Sequence, residues 1–431
     1  MKILTANYVL PIASPPIEHG AVAVEGSEIV AVGMHQEIVG QFPDAEVEDF
    51  GEAAILPGFV NCHSHLEITS MRGALDNVEH DFSAWLLKLN EIRAGLSDDD
   101  IRQAAIAGAM EGAQAGVTCF GDIGRFGVAG FEALKSVGLR GILFQETEFS
   151  PDDATAESDF EKLIDKFESL RETETELVKV GISPHSPYTV SPRLFQLIAD
   201  FAAQNEINLT IHAAESLDED ELLQSGIGFF TEVYKKYGVT WQSPHCSTIE
   251  YLERLGVLRT KPLLAHCVTV SDADIDLIAK SGSSIAHCPK SNAKLGHGHA
   301  PFEAFLDKGI AVGLGSDSVA SNNVCDLLEE SRFAALAARN RAGKKRFITA
   351  KEMLETATLG GAKTLGLDHL IGTLKPGKQA DLIAISLTHA AQQPINDIHT
   401  ALVFASNSRD VAMTMVAGNV ISTASASVAR T

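Results

Sequence analysis

Eight apolar runs of strand length, alternating with helical patterns through the middle of the chain, constrain its fold more than any other feature. The runs are 55–62, 116–123, 139–146, 178–184, 208–213, 262–267, 283–288 and 311–317. Helical patterns fill the stretches between them, as at 98–115, 191–204, 272–280 and 301–308. Strands that alternate with helices pair in parallel, and eight of them predict an α/β fold of the (β/α)8 TIM-barrel type. The ends of the runs carry the second signal. Run one leads into His63 and His65, run two into Asp122, run three into Glu146 and run four into His185. The last four lead into His212, His266, His287 and Asp317. A barrel brings all these ends onto one face, where active sites are built. Core packing does not explain ionisable residues at eight successive strand ends.

The two termini read differently. Residues 1–55 hold short β-like runs broken by Gly and Pro, and 21–24 with 28–32 flank Gly26-Ser27 as a hairpin. Beyond about 367, a turn at 374–378 precedes strand candidates at 380–386, 411–416 and 419–421. The expectation is a small composite β-sandwich built from 1–55 and 367–431, enclosing a barrel at 56–366. Residues 214–261 form the longest connection beyond the fourth strand and are expected to hold an insertion.

Charge narrows the partners. The 34 basic and 57 acidic residues leave a formal charge of −23. That excludes a nucleic acid or an anionic membrane surface as the expected partner and favours a small-molecule substrate. It leaves open whether the chain forms a homo-oligomer. No apolar run reaches 18 residues, and residues 1–16 lack the pattern of a signal peptide. The six cysteines are scattered without a CxxC pair, which fits reduced thiols in a cytoplasmic enzyme. Cys62, Cys267 and Cys288 lie near strand ends and read as small buried hydrophobes.

His63-Ser64-His65 places two imidazoles on one side of an extended segment. An isolated HxH is a common chance pattern. With His212 and Asp317 from other strand ends it becomes a four-ligand set for one divalent ion, with Zn2+ the best match to three imidazoles and a carboxylate. Glu215 follows His212 by three positions and is the candidate general acid/base, although a glutamate at a helix N-terminus has a structural use as well. His266 and Asp317 complete the candidate catalytic group. His266 ends an apolar strand, where a lone histidine would ordinarily be a satisfied core residue.

These segments together closely resemble the amidohydrolase superfamily. The resemblance rests on Pro57-Gly58-Phe59-Val60-Asn61-Cys62-His63-Ser64-His65, His212-Ala213-Ala214-Glu215, Leu264-Ala265-His266-Cys267, Ala286-His287-Cys288-Pro289-Lys290-Ser291-Asn292 and Gly313-Leu314-Gly315-Ser316-Asp317-Ser318. Gly372 to Leu382 is similar to the stretch by which such chains return to the small sheet. The resemblance implies the barrel with a composite sandwich, and it carries the ligand and acid/base roles onto the residues above. A glutamate three residues after the strand-five histidine is similar to the nucleobase and nucleoside deaminases. Binuclear members carry a bridging lysine or glutamate at the end of strand four or three. Lys179 lies at the wrong end of strand four, so one ion is expected, with Glu146 the residue that could argue otherwise.

The same resemblance bears on substrate. His65-Leu66-Glu67, Met71-Arg72-Gly73 and Phe82-Ser83-Ala84-Trp85-Leu86 look like aminodeoxyfutalosine deaminases. His185 in Ser183-Pro184-His185 looks like a substrate-contacting histidine shared with methylthioadenosine/S-adenosylhomocysteine deaminases. Those usually carry Pro-x-Glu after the tryptophan segment, and this chain lacks that proline. The implied reaction is hydrolytic deamination of an adenine nucleoside of the aminodeoxyfutalosine kind to the 6-oxo purine and ammonia. The alternatives are the methylthioadenosine/S-adenosylhomocysteine activity and hydrolysis of other ring C–N or C–Cl bonds, as in guanine or triazine hydrolases. A non-catalytic scaffold would predict decayed ligands, whereas all are present. Trp85, Glu146, His185 and Asn292 are the expected substrate contacts. Further pocket-rim candidates are Lys290, Ser291, Ser321, Asn322, Asn323 and His287. His297 and His299, in a Gly-rich loop, are expected to face solvent.

Overall fold

Eight parallel strands close into a ring: Phe59–Ser64, Val117–Gly124, Arg140–Glu146, Val178–Ser183, Thr210–Ala213, Leu263–His266, Ser284–His287 and Val312–Leu314. In this computed structural model, which describes residues 1–423, strand eight pairs back to strand one through Leu314 and Asn61. An isolated bridge between Ile182 and Leu209 joins strands four and five. Val60, Cys62, Ile142, Phe144, Leu263 and Ala265 form one apolar cluster from alternate strand positions. Phe120, Leu143, Ile211 and Leu264, one residue out of phase with that set, pack in the larger core with the surrounding helices.

The helices begin where local chemistry lets them. Ser97 and Asp100 make a reciprocal capping box at the start of Asp98–Gln114, and Ser271 and Asp274 do the same for Asp272–Ser281. Each satisfies amides that a helix start leaves without partners.

The expected first strand, 55–62, is corrected by the structure. It divides at Gly58. Ala53–Pro57 pairs antiparallel with Leu382–Ser386 in the terminal sheet, and only Phe59–Ser64 belongs to the barrel. A Cβ at Gly58 would lie 2.1 Å from the Thr118 side chain, so the crossing needs glycine. Pro57-Gly58 marks the break inside a run that is apolar on both sides.

The terminal sheet has eight strands. The N-terminal part supplies Lys2–Val9, Ile17–Glu25, Glu28–Met34, Glu46–Asp49 and Ala53–Pro57. The C-terminal part supplies Leu382–Ser386, Val411–Val416 and Asn419–Thr423. Leu4, Val22, Ile55, Leu382, Ala384 and Met413 share one buried cluster, so the two ends of the chain stabilise each other. Between Ser386 and Val411 the chain leaves the sheet, and Ile398, Leu402 and Val403 join the barrel core. The last eight residues of the expected 367–431 part lie outside the described residues.

All six cysteines are free and buried, including Cys62, Cys267 and Cys288. Among the described residues no helix is long and apolar enough to cross a membrane. The 214–261 connection holds a helix at Phe229–Lys236 and another at Thr248–Arg254.

One buried ion pair ties the barrel to the terminal sheet. Arg140, at the start of strand three, donates from Nε to Asp381 Oδ2 at 2.7 Å and from Nη2 to Oδ1 at 3.0 Å. The Ala417 amide donates to the same carboxylate. Both side chains are almost fully buried. Removing one partner strands the other charge, which costs far more than the pair contributes net. Arg140→Ala should therefore lower stability by about 3–5 kcal/mol, and the paired change Arg140→Met with Asp381→Leu should lose less. Urea unfolding midpoints measure both. A loss under about 1 kcal/mol for Arg140→Ala would mean that the pair does not clamp the two sheets.

Candidate active site

The strand ends converge as the alternation implies, but several do so by breaking strand geometry. Four non-glycine residues there have left-handed backbone: Ala214 at φ 52°, His266 at 73°, Cys267 at 48° and Asp317 at 57°. Such conformations cost of order 1–3 kcal/mol each and persist where the surroundings enforce them. In a straight strand His266 would share the outward face of Leu264. The backbone turn at His266 releases it from that alternation. Strand one has irregular register between Asn61 and Ser64, across the segment that carries His63.

His63, His65 and His212 bring ring nitrogens within 4.8 Å of one another. The Nε2 atoms of His65 and His212 are 3.2 Å apart. Asp317 Oδ1 lies 3.4 Å from His63 Nε2 and 3.5 Å from His65 Nε2. Burial drives all three histidines below their usual range, which keeps the imidazoles neutral. Burial opposes ionisation of Asp317, but the histidines around it, His63 first at 3.4 Å and then His65 and His266, outweigh it and hold the carboxyl well below its usual range. Neither ring nitrogen of buried His63 has a hydrogen-bond partner. Unpartnered buried nitrogens facing one another and a carboxylate fit a divalent cation, and neutral imidazole is the form that binds one.

Neighbours hold each of these groups in place. His212 Nδ1 is 2.9 Å from the His185 carbonyl, so it carries the proton and Nε2 is left as a ligand atom. Ser291 and Ser321 both donate to Asp317 Oδ2, at 2.6 and 2.7 Å, which leaves Oδ1 toward the histidines. Asp122 accepts from Ser64 Oγ at 2.8 Å and from the Leu66 amide at 2.9 Å, gripping the segment that carries His65. Lys179 is exposed and pairs with Glu174, so the end of strand four offers no lysine.

Glu215 is buried beside the histidine cluster. Tyr188 Oη donates to its Oε2 at 3.3 Å, and His297 Nε2 and His266 Nε2 lie 3.6 and 3.8 Å from its Oε1. The amides of Ala214 and Glu215 both donate to Glu219, fixing the turn after strand five. Burial, reinforced by the nearby charge of Asp317, pushes the Glu215 carboxyl up to about 8. Such a group can hold and release a proton near neutral pH.

A cavity of about 410 Å³ opens onto this cluster, lined by His65, His212, Glu215, His266 and Asp317 at its base. Its walls come from two connections. One is the helix Phe82–Ala94, which contributes Phe82, Trp85, Leu86, Leu89, Asn90 and Arg93. The other is the 214–261 connection, which contributes Phe229, Phe230, Val233, Lys236 and Tyr237. Trp85 lines the cavity and also belongs to the apolar cluster beneath it. Glu146 and His185 line the third side, with His185 Nε2 3.8 Å from Glu146 Oε1. Burial pushes the Glu146 carboxyl up to about 7 and the His185 imidazole down to about 3.

Three expectations need correction. Asn292 does not line the cavity: its Oδ1 accepts from His266 Nδ1 at 2.8 Å, so it orients His266 with Nε2 toward Glu215. His297 is not solvent-facing. Its side chain is 5% exposed, packed edge-on against Phe82 and next to Glu215, whereas His299 is exposed as expected. The other rim candidates also stand behind the cavity. His287 stacks on Phe302, Lys290 pairs with Glu329, and Asn322 bonds Glu330. Asn323 contacts Lys294 and Asp76 instead. Tyr188 and Arg93 also line the cavity, and no local sequence signal marks either. Only the fold shows which side chains reach the cavity.

Comparison with known proteins agrees with this architecture. The chain matches the amidohydrolase family over residues 54–421. It is 32% identical over 408 residues to a 5-methylthioadenosine/S-adenosylhomocysteine deaminase of Nitratidesulfovibrio vulgaris, covering 94% of this chain and 88% of that one. An adenosine deaminase from Xanthomonas campestris, solved with bound zinc, superposes with a TM-score of 0.87 at 28% identity, covering 97% and 92% of the two chains. The Helicobacter pylori aminofutalosine deaminase in complex with methylthio-coformycin shares the fold, with a TM-score of 0.80 at 23% identity and coverage of 97% and 100%. A match across most of the chain, over a barrel whose strand ends gather these histidines and Asp317, makes this protein a member of the amidohydrolase family.

Proposed function

We propose that the chain hydrolytically deaminates an adenine nucleoside bearing a 5′ substituent, of the aminodeoxyfutalosine kind, with one zinc ion per chain. The observation that carries this reading is Glu215. It is a buried carboxyl poised to exchange a proton, set beside three neutral imidazoles and Asp317 at the base of a cavity with aromatic walls. The similarity to a methylthioadenosine/S-adenosylhomocysteine deaminase supports the nucleoside and keeps that substrate as the second reading. The zinc-bearing adenosine deaminase neighbour supports the metal.

An ion held by His63, His65, His212 and Asp317 would supply a Lewis acid that lowers the pKa of water at the site toward neutrality. The remaining work falls to side chains. Glu215 donates its proton to a purine ring nitrogen and makes the adjacent carbon electrophilic. His266, with Nδ1 engaged by Asn292, presents Nε2 as an acceptor that orients the attacking water. Asp317 Oδ1 accepts from the same water. As oxygen adds and the amine leaves, Glu215 relays one water proton to the amine, and the second water proton returns to Glu215 as the added oxygen becomes the carbonyl. One adenine amine and one water become one 6-oxo purine and one ammonia. Glu146 and His185, on strands three and four beside His212, are placed to contact the nucleoside away from the reacting carbon.

Metal analysis of active protein should find about one zinc per chain. Two tightly held ions, both required for turnover, would falsify the single-ion site. Glu215→Gln should keep the metal and lose roughly 10²-fold or more in kcat. Normal turnover by that variant would remove Glu215 from the chemistry. His185→Ala should raise KM more than it lowers kcat, since a contact away from the reacting carbon contributes binding in ground and transition states alike. A fall in kcat at constant KM would instead place His185 in the bond-making step. The substrate class is tested by the ultraviolet change from adenine to hypoxanthine across adenosine, methylthioadenosine, S-adenosylhomocysteine and aminodeoxyfutalosine. If none shifts while guanine, a triazine or another ring C–N or C–Cl substrate is hydrolysed well, the nucleoside assignment fails.

A further inference from the structure

Three cations line the cavity: Arg93, Arg125 and Lys236. Arg125 is already engaged, its Nε donating to Glu148 at 2.7 Å. Lys236 is exposed at the end of its helix, where an unpaired lysine is ordinary. Arg93 differs from both. It is half-buried, yet among the described residues its guanidinium makes no hydrogen bond and no ion pair.

The position of Arg93 in the last turn of Phe82–Ala94 accounts for a basic residue there, since a cation at a helix C-terminus is favourable. It does not account for a guanidinium that lines the cavity. The side chain is close enough to matter inside: burial raises Glu146, and the charge of Arg93 is the leading influence against that rise. Burial lowers His185, with Arg93 the next contributor. The carboxylates in or beside that space are otherwise committed. Glu67 accepts the Phe126 and Gly127 amides, Glu148 takes Arg125 and Lys166, and Glu215 and Asp317 belong to the histidine cluster. Glu146 stands beyond ion-pair distance of Arg93, and its raised carboxyl favours the neutral form. In a chain of net charge −23, an unpaired guanidinium on a substrate wall is therefore available to an anion that the protein itself does not supply.

We propose that Arg93 selects adenine nucleosides whose 5′ substituent carries an anionic group, by pairing with that group on the wall formed by Phe82–Ala94. This rests on the adenine-nucleoside reading and narrows it: a bare methylthio substituent lacks the anion and would leave Arg93 unused. A carboxylate and a phosphate ester share the chemistry, and the substrates chosen distinguish them.

The test compares kcat/KM for S-adenosylhomocysteine and its carboxamide, which differ only in the anionic oxygen, and for adenosine 5′-monophosphate and adenosine. Wild-type protein should prefer the charged member of one pair by roughly ten- to a hundredfold, the range of a charge-assisted hydrogen bond. The carboxylate pair identifies an extended substituent and the phosphate pair a nucleotide. In Arg93→Ala that preference should collapse toward unity, mostly through KM, and Arg93→Lys should keep part of it. A structural defect would lower both members of a pair and leave their ratio intact. Equal ratios in wild type and Arg93→Ala, or no preference in wild type while adenosine or methylthioadenosine is turned over, overturns the role of Arg93 and leaves the deaminase reading standing. If aminodeoxyfutalosine alone is turned over, an unchanged kcat/KM for it in Arg93→Ala overturns the role of Arg93; wild-type protein that deaminates neither these nucleosides nor aminodeoxyfutalosine overturns both.

Discussion

The hydrogen bond from the Asp317 amide to the His63 carbonyl, 2.9 Å long, joins the end of the last barrel strand to the end of the first. Ser64 and Asp317 form a β-bridge at the same place. The seam of the barrel and the histidine cluster are thus one piece of structure. Residues from opposite ends of a region of some 250 positions meet because a ring of parallel strands has one circle of C-terminal ends. Ala214, His266, Cys267 and Asp317 bring left-handed backbone to that circle. Its cost is distributed against a closed sheet that cannot relax at one strand without disturbing its neighbours.

Much of this was legible before any coordinates. The ends of strands two to seven fell where alternation and apolar length placed them, strand eight stopped at Leu314 short of the expected 317, and the imidazoles, Asp317 and Glu215 gather as the motifs implied. What escaped was of two physical kinds. At Gly58 an apolar run changes sheet; Pro57-Gly58 is a turn signal there, but the partners on either side, and the close approach to Thr118, come only from the assembled fold. At Asn292, Ser291 and Ser321 the residue type was noticed but its role was not. A short polar side chain that contacts a ligand and one that orients the group contacting it have the same local sequence signature. His297 failed for a related reason. Its flanking glycines suggested an exposed loop, yet Phe82 from a distant helix covers it. Such contacts depend on the assembled fold and have no local period.

The electrostatics of the site follow from burial more than from net charge. Removing His63, His65 and His212 from water disfavours their protonated forms, and the same burial lifts Glu215 and Glu146 toward neutrality. One physical cause thus prepares ligands and acid together: imidazoles that can bind a cation and a carboxyl that can carry a proton. Asp317 is the exception, held ionised by its histidine neighbours and by two serine hydroxyls. A centre with a single committed carboxylate concentrates negative charge at one point, which favours a cation there over a diffuse acidic patch.

On the proposed reading, chemistry and selectivity are carried by different parts of the chain. The reacting groups sit at strand ends, where ring closure fixes them. The cavity walls come from Phe82–Ala94 and Phe229–Lys236, in connections that the barrel does not constrain. Tyr188 links the two, bonding Glu215 while its ring stacks on Phe230 at 4.2 Å. Substitutions in the wall helices can therefore change which substituent fits while the ligand geometry stays intact, except where they reach the site through Tyr188 or through Phe82 and His297. The adenosine deaminase neighbour fits the division. Its fold superposes closely at 28% identity, so most side chains differ around a common frame. A frame held by strand closure and walls held only by side-chain packing give a barrel of this kind one centre and many possible substrates.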